Sequence, residues 1–296
     1  MIGRKTADRL ATGIFYAIGV TVVVGLVLFV GYLVYHGWSE LNLHFLLSGP
    51  RFTKAGGGIG PQLFDSIYLL VLAMIITIPV GLSAGVYMAE YARPGKLTDT
   101  LRLCIETLAS LPSIIIGLFG LIIFVNLTGW GYTLFGGALA VAVLNLPVAT
   151  RISEDAIRNV PQTIREASYG LGATQWQTIT RAVLPAALPG LLTGFIITAG
   201  RVFGEAAALL YTAGMSTPIL DYSNLNPFSG ASPLNPFRPG ATLAVYIWKV
   251  NSEGLVPDAR AIADGASAVL VLAILVFNLG SRYLGIRLNN RLTGRQ

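Results

Sequence analysis

Apolar residues are concentrated in six long stretches of the chain, which polar or glycine-rich segments separate. A helix needs about 17 to 25 predominantly apolar residues to cross the hydrocarbon core of a bilayer. The first stretch is longer than the apolar core of a secretion signal, which is about 7 to 15 residues, so we expect it to stay as a span. The pattern therefore predicts six membrane-spanning helices, at residues 13–36, 64–88, 104–125, 132–148, 187–211 and 266–288.

The predicted spans divide the chain into three parts. Residues 1–63 hold the first span and an outer loop, residues 64–211 form the core of the membrane domain, and residues 212–296 hold a second outer segment, the last span and a tail. With the N-terminus in the cytoplasm, most of the 20 lysines and arginines fall in cytoplasmic segments, where positive charge is normally retained. We therefore expect both termini to be cytoplasmic.

The composition narrows the class of protein further. The chain is 54% hydrophobic and only 11% charged, with a mean hydropathy of +0.67, whereas soluble domains are about 25% charged. A single cysteine, Cys104, excludes a disulfide framework and a metal site built from cysteines. The net charge of +6 is spread along the chain beside apolar runs. It therefore indicates membrane topology rather than binding to nucleic acid.

The two predicted outer segments have different compositions. Residues 37–63 contain "KAGGGIG", which has too many glycines for a stable helix and predicts a surface loop. Residues 212–264 contain "LNPF" twice, at 225–228 and 234–237, which predicts two similar turns. The following "ATLAVYIWKV" predicts a short interfacial helix.

Residues 151–185 form a polar cytoplasmic segment, which we call the elbow. Its punctuation predicts one short helix at about 163–169, a glycine turn at Gly170 and Gly172, and a second helix that Thr174 caps and that runs to about 180. Pro185 is expected to end that helix or to turn it toward the fifth span. Apolar side chains on the elbow predict that a partner covers it; these are Tyr169, Leu171, Trp176 and Ile179.

Arg201 and Glu205 are ionisable residues inside the predicted fifth span. Charges at that depth are costly, so they normally face a bundle interior or a water-filled path. Their spacing of four places them on one helix face, where they either neutralise each other or serve a substrate. In the second case Arg201 contacts a passing oxyanion, for which its planar fork is well suited, and Glu205 orients the guanidinium or yields it to the substrate.

Three further residues of the spans have a structural and a functional interpretation. Glu106, near the cytoplasmic start of the third span, either lines the inner mouth of a path or simply complements the helix dipole. Pro79 and Pro112 lie inside apparent spans, where they either act as hinges or only shape static packing.

Two other functions fit the sequence less well, an intramembrane serine protease and a stand-alone channel or ion-coupled transporter. "GLSAG" at 81–85 fits the G-x-S-x-G pattern of serine hydrolases, which would make Ser83 the nucleophile of an intramembrane protease. The only histidines, His36 and His44, lie at and beyond the outer end of the first span, too far to serve as its base. A stand-alone channel or ion-coupled transporter would need coupling carboxylates or an inverted repeat, which the sequence lacks.

The elbow resembles the cytoplasmic coupling loop of bacterial ABC importer permeases, whose pattern is E-A-A, three residues, G, nine residues, I-x-L-P. Glu166, Ala167, Gly172, Leu184 and Pro185 fit this pattern, whereas Ser168 and Ala182 depart from it by small substitutions. The resemblance implies a six-helix permease of the type I importer fold, which is not itself an enzyme, and an elbow that docks on a separate ATPase. The chain has no G-x-x-x-x-G-K-[ST] loop, so ATP and Mg²⁺ are expected on that partner and no cofactor on this chain.

A second resemblance covers about half of the chain. It is to the permeases of phosphate-specific importers, and it is stronger to their A-type than to their C-type permease. It is carried by "GLSAGVYMAEYA" (81–92), "ETLASLPSIIIGLFG" (106–120) and "GRVFGEAAALLYTAG" (200–214). Permeases for molybdate, sulfate and phosphonate remain alternatives. The resemblance implies a bacterial inner-membrane location, a homologous permease that completes the path, a dimeric ATPase, and a periplasmic or lipid-anchored phosphate-binding protein.

Overall fold

The computed structural model describes residues 3–51, 55–253 and 257–292, which form α-helices and connecting loops without any strand. Within these residues the α-helices are α1 (Arg4–Gly37), α2 (Leu43–Leu47), α3 (Gly60–Val86), α4 (Lys96–Ser110), α5 (Ser113–Gly120), α6 (Leu134–Arg158), α7 (Gln162–Gly170), α8 (Gln175–Thr178), α9 (Leu184–Gly204), α10 (Ala207–Leu210), α11 (Leu243–Glu253) and α12 (Ala259–Leu292). Short π-helical turns extend α3 at Tyr87–Tyr91, extend α5 at Leu121–Leu127, and join α8 to α9 at Ile179–Val183.

The apolar helices confirm the predicted all-α membrane architecture. A bent pair, α4 followed by α5 with its π-helical extension, adds a sixth apolar element, so the described residues hold six spans when the pair is counted as one. The other five spans are single helices, at Asp8–Glu40, Gly60–Tyr91, Leu134–Arg158, Gln175–Gly204 and Ala259–Tyr283.

The predicted third span at 104–125 is present as a bent pair of helices rather than as one continuous helix. The two halves of this element meet at an angle of 97°, and Leu111 at the break has an extended backbone with φ −67° and ψ 132°. Pro112 causes this break, because a proline disfavours the helical conformation of the residue before it. The hydropathy of the sequence is continuous across the break, so its signal in the sequence is Pro112, for which a hinge was one of the two interpretations.

The fifth span also differs from its prediction, at both of its ends. Residues 175–204 form one continuous helix, so Pro185 does not end the second helix of the elbow. Pro185 lies instead in the first turn of α9, directly after the π-helical turn, where a missing N–H is tolerated. At the other end the helix stops at Gly204, because Glu205 has an extended backbone with φ −74° and ψ 124°.

The centre of the fold is the contact between α3 and α6. A Cβ at Gly81 would lie 2.7 Å from the Cβ of Ala149, and a Cβ at Gly85 would meet Ser153 and lie 2.9 Å from the backbone nitrogen of Glu154. The two helix backbones therefore approach more closely than any larger residue would allow, as is common for small residues in membrane helices. α9 packs against both helices of this pair, and α12 packs against α9.

The first helix lies at the edge of the chain. None of the residues in its most apolar window is buried within the described part of the chain, and its main contact is α12. Gly37 at its end fits tightly against α12, since a Cβ there would lie 2.5 Å from the Cβ of Ala268. Most of α1 is therefore free to face lipid or another subunit.

The second outer segment is fastened to the core by a buried ion pair. The Arg238 guanidinium donates to one carboxylate oxygen of Asp65 in α3, and the Thr217 hydroxyl donates to the other oxygen at 2.8 Å. Both charged side chains are almost fully buried. The Arg238 carbonyl also accepts from the backbone N–H of Leu134 at the start of α6, at 2.9 Å, so the segment bridges α3 and α6.

The predicted pair of turns is present in this segment. The side-chain oxygen of Asn226 accepts from the N–H of Phe228 at 3.1 Å, and that of Asn235 accepts from the N–H of Phe237 at 2.8 Å. Both copies of "LNPF" thus form the same Asx turn. The predicted short helix is α11, but it is packed against α3 and α12 and buries five of its residues rather than lying only at an interface.

The glycine-rich part of the first outer segment is a loop, as predicted, although Lys54 lies outside the described residues. The prediction of a loop over the whole of 37–63 is wrong, because the segment also contains α2 and the start of α3. The loop is packed rather than fully exposed, because Gly57, Gly58 and Ile59 are buried. The N–H of Gly56 donates to a carboxylate oxygen of Asp258 at 2.8 Å, which ties the loop to the residues just before α12.

Candidate functional site

The elbow forms two helices at a sharp turn, as its punctuation predicts. α7 ends at Gly170, and Gly172 in the turn has φ 82°, a left-handed conformation that L-residues with a side chain rarely adopt. Thr174 then starts α8 with a capping box: its hydroxyl accepts from the N–H of Gln177 at 3.3 Å, and its own N–H donates to the Gln177 side chain at 3.0 Å.

A hydrogen bond between the two arms holds the elbow closed. The hydroxyl oxygens of Ser168 in α7 and Thr178 in α8 lie 2.9 Å apart. Ser168 occupies the position of the second alanine in the E-A-A pattern of the coupling loop. This departure from the pattern therefore adds a hydrogen bond between the two arms. Thr178 is completely buried, which protects that link from water.

The exposed side of the elbow is apolar. Leu171 is 90% exposed and Trp176 is 64% exposed, and Tyr169 beside them is also exposed. Among the pattern residues, Glu166, Ala167, Gly172 and Pro185 are exposed and Leu184 is partly buried. The prediction that Ile179 belongs to this surface is wrong: Ile179 is 1% exposed, because it lies on the inner face of the helix that continues into the fifth span.

The partly buried side of the elbow contacts the end of α3 that the charge distribution predicts to be cytoplasmic. The Arg165 guanidinium contacts one carboxylate oxygen of Glu90 through Nε at 3.0 Å and Nη2 at 2.7 Å. The Gln175 amide donates to the Glu90 backbone carbonyl at 3.0 Å. Sequence reasoning missed this contact, because Glu90 and Arg165 are 75 positions apart and neither has a distinctive local pattern.

Arg201 and Glu205 do not form the ion pair that their spacing allows. Since α9 ends at Gly204, Glu205 leaves the helix, and its carboxylate accepts from the N–H of Ala208 at 3.1 Å, at the start of α10. Arg201 is exposed, and none of the residues that the structure describes forms a hydrogen bond or ion pair with its side chain. The guanidinium charge of Arg201 is therefore uncompensated within this part of the chain.

Arg201 belongs to a stripe of exposed residues along α9. Their spacings of three and four place all of them on one face, and most of them are small; they are Ala186, Gly190, Thr193, Ile197, Arg201 and Gly204. A face with an arginine and small residues is unfavourable against lipid tails. It is suited to a second protein surface or to a polar path.

Glu106 lines a charged cavity between α4 and α6. The cavity has a volume of about 390 Å³, and Arg151, Asp155 and Arg158 also contribute to its wall. Arg102 and Glu154 form an ion pair at its edge, with 2.7 Å between Nη2 and Oε1. The structure thus places Glu106 in a cavity at the predicted cytoplasmic side whose wall combines charged groups with apolar residues such as Pro147 and Ile152.

The structure contradicts a nucleophilic role for Ser83. Its hydroxyl donates to the Pro79 carbonyl of its own helix at 2.7 Å, and Gly81 and Gly85 of the same pattern serve the close packing of α3 on α6. His36 bonds to the Tyr32 carbonyl in α1 and lies at the other end of the membrane domain. Within the described residues, no group of three or more histidine, cysteine, aspartate or glutamate side chains could hold a metal ion.

Comparison with known protein families identifies relatives of this chain. The family model described as "Binding-protein-dependent transport system inner membrane component" matches residues 78–294. The probable ABC transporter permease protein YqgI of Bacillus subtilis is 54% identical over 292 residues, which is 99% of each chain. The phosphate transport system permease protein PstA of Xylella fastidiosa strain Temecula1 is 32% identical, covering 84% of this chain and 81% of its own length. PstA 1 of Mycobacterium tuberculosis H37Rv is 30% identical, covering 94% of this chain and 87% of its own.

Solved structures of ABC importers have a similar fold. A chain of the bacterial alginate ABC transporter, in complex with its alginate-bound periplasmic protein, superposes with a TM-score of 0.65 at 15% identity, covering 95% of this chain and 97% of that one. A chain of the inward-facing MetNI methionine ABC transporter superposes with a TM-score of 0.58 at 20% identity, covering 76% of this chain and 93% of that one. At these identities the similarity concerns the fold, which is that of type I importer permeases.

Proposed function

Because the chain belongs to the family of binding-protein-dependent transport system inner membrane components, the permease subunits of ABC importers, we propose that it carries inorganic phosphate across the bacterial inner membrane. Membership in this family implies a membrane subunit that is not an enzyme and that works with an ATPase and a substrate-binding protein. The phosphate assignment is supported by relatives named as phosphate permeases, which align with most of this chain at about 30% identity.

The main support for an anionic substrate is Arg201. It lies on the exposed stripe of α9, and its charge is uncompensated by the described residues of the chain. A guanidinium can bind two oxygens of a tetrahedral oxyanion at once, which a lysine cannot do. Glu205 has a different role in this proposal from the one its spacing indicates: it fixes the break between α9 and α10 and so leaves Arg201 available.

The contact at Arg201 must be weak for the importer to release its substrate. We infer that a separate outer phosphate-binding protein provides high affinity, and that Arg201 provides only a passing site. On the cytoplasmic side, Glu106 lines the charged cavity beside Arg151, and this cavity would form the inner mouth of the path. Alternating access between the two sides then gives net import.

The remaining parts of the proposed complex lie on other chains. A homologous permease would pair with the exposed stripe of α9 and complete the path. A dimeric ATPase, which carries ATP and Mg²⁺, would bind the apolar surface of the elbow at Glu166, Ala167 and Gly172. In this arrangement both termini of the chain are cytoplasmic, as the distribution of lysines and arginines indicates.

Uptake of radioactive phosphate into proteoliposomes that contain the full complex tests the proposal. Excess unlabelled phosphate should suppress uptake, whereas excess sulfate, molybdate or phosphonate should not. If one of those anions competes better than phosphate, the phosphate assignment is wrong and that anion becomes the substrate.

The variant Arg201→Lys tests the role of the guanidinium in the same assay. Loss of the bidentate contact should lower uptake about tenfold or more, with the complex still assembled. Arg93→Lys is the matched control, because Arg93 is exposed in the loop after α3 and outside the proposed path. Wild-type uptake by Arg201→Lys would remove Arg201 from the path.

A further inference from the structure

We propose that Glu90 is a positioning residue that transmits the movement of the elbow to α3 through its ion pair with Arg165. The proposal rests on the proposed function in one respect, namely that the elbow receives movement from the ATPase. It adds a second route into the membrane domain, beside the direct continuity of the elbow with α9.

Arg165 joins three helices through one guanidinium. Besides its two bonds to Glu90 in the extension of α3, it donates to the Ile157 carbonyl in the last turn of α6 at 2.9 Å and to the Val160 carbonyl just after α6 at 2.7 Å. Arg165 itself belongs to α7 of the elbow. All these bonds are partly buried, and the side chains of Arg165 and Glu90 are only 11% and 8% exposed. Such a charge-assisted, multiply bonded contact is far more rigid than a surface ion pair.

The end of α3 is held from the second arm of the elbow and from α6 as well. Gln175, the first residue of α8, donates to the Glu90 carbonyl, and Arg158 of α6 donates to the Met88 carbonyl at 3.2 Å. These acceptors lie in the π-helical turn Tyr87–Tyr91, whose altered hydrogen-bond pattern ends α3. Both arms of the elbow therefore bind the same short segment.

The two routes lead to different parts of the membrane domain. α8 continues through the π-helical turn into α9, so any movement of the second arm reaches the stripe of Arg201 directly. The first arm, α7, is not continuous with a span: the turn at 159–161 separates it from α6, and Arg165 joins it to the end of α6 and, through Glu90, to α3. Because α3 is interlocked with α6 at Gly81 and Gly85, a pull on Glu90 moves the centre of the domain. Without Glu90, α9 would move while α3 lagged behind.

The first test is the coupling ratio, the number of phosphate ions imported per ATP hydrolysed by the reconstituted complex. We expect Glu90→Gln to lower this ratio at least about threefold, since side chains in one ion-pair network have substantial interaction energies. Arg165→Gln and the double variant should lower it to the same extent, because either change breaks the same link. Asp99→Asn is the matched control, an exposed acidic residue on α4 without a part in the contact.

The coupling ratio separates a transmitting role from a merely structural one. If Glu90 only stabilises the fold, its variants lower the amount of assembled complex while the ratio per complex stays at the wild-type value, and the proposal is wrong. Additive effects in the double variant would also contradict it. Should Glu90→Gln prevent assembly, Glu90→Asp decides, because it keeps the charge and only shortens the side chain: an unchanged ratio in that variant overturns the proposal.

A distance measurement tests the link without any transport. In a Cys104→Ser background, spin labels at Thr163→Cys on α7 of the elbow and Tyr87→Cys at the end of α3 occupy two exposed positions. In the assembled complex the distance between the labels should stay narrow and unchanged when ATP binds, and it should broaden or shift in the Glu90→Gln variant. A distance that changes with ATP in the wild type, or that Glu90→Gln leaves unaffected, contradicts the link. This result is independent of whether phosphate is the substrate.

Discussion

Replacing Gly172 with valine should lower the affinity of the permease for its ATPase. Gly172 has φ 82°, and a Cβ placed there would meet nothing within 4 Å. The substitution therefore creates no collision with neighbouring atoms, and its whole effect comes from the backbone. A valine would have to hold a conformation that is unfavourable for any β-branched L-residue.

The size of this effect follows from the cost of the left-handed conformation, which is about 1 to 2 kcal/mol for an ordinary L-residue. A difference of about 1.4 kcal/mol is a factor of ten in an equilibrium constant, so the native shape of the turn should become about 5 to 30 times less favoured. The affinity of the elbow for the ATPase should fall by up to the same factor, because only the native turn presents Leu171 and Trp176 together. Gly172→Asn should cost much less, since asparagine tolerates this conformation.

The assay is a titration of purified ATPase onto the permease in lipid nanodiscs, followed by measurement of ATP-driven uptake. Gly170→Val provides the control, because Gly170 is two residues away, is equally open, and has a negative φ at the end of α7. We expect Gly172→Val to weaken binding and uptake, and Gly170→Val to change both only slightly. Equal affinities for the two valine variants would refute the account of the turn.

Two further predictions concern the packing of the fold. Gly85→Ala should destabilise the purified complex by about 1 to 3 kcal/mol and lower its melting temperature, because the added methyl group forces α3 away from Ser153 in α6. Gly13→Ala is the control, because a Cβ at Gly13 would meet nothing within 4 Å. Equal melting temperatures for the two variants would contradict this account of the packing. Asp65→Asn should leave the buried Arg238 charge without its counterion, which should destabilise the protein by about 3 to 5 kcal/mol. Limited proteolysis should then cleave residues 212–242 faster than in the wild type. An unchanged rate of cleavage would contradict the role of this ion pair.

Features that depend on neighbours along the chain were predictable from the sequence. The long apolar runs indicated the spans, since the need to fill about 30 Å of hydrocarbon leaves few alternatives. The turn of the elbow was predictable because Gly172 and the capping residue Thr174 act on residues no more than three or four positions away. The repeated "LNPF" turns are equally local, since each asparagine bonds to the N–H two residues further on.

Features that depend on distant residues were not predictable in this way. The pair of Asp65 and Arg238 joins residues 173 positions apart, and the pair of Glu90 and Arg165 depends on how α7 folds back against α3. Nothing in one sequence fixes such a register. The spacing of Arg201 and Glu205 was misleading for a related reason: the rule of four residues holds only while the helix continues, and α9 ends between them.

Dependence on a separate ATPase is the central claim, and reconstitution tests it most directly. Phosphate uptake should be measured in proteoliposomes that contain the permeases with the ATPase and the outer binding protein, and in matched liposomes that lack only the ATPase. We expect ATP-dependent uptake in the first and none above background in the second. Equal uptake without the ATPase, or by this chain alone, would contradict the account.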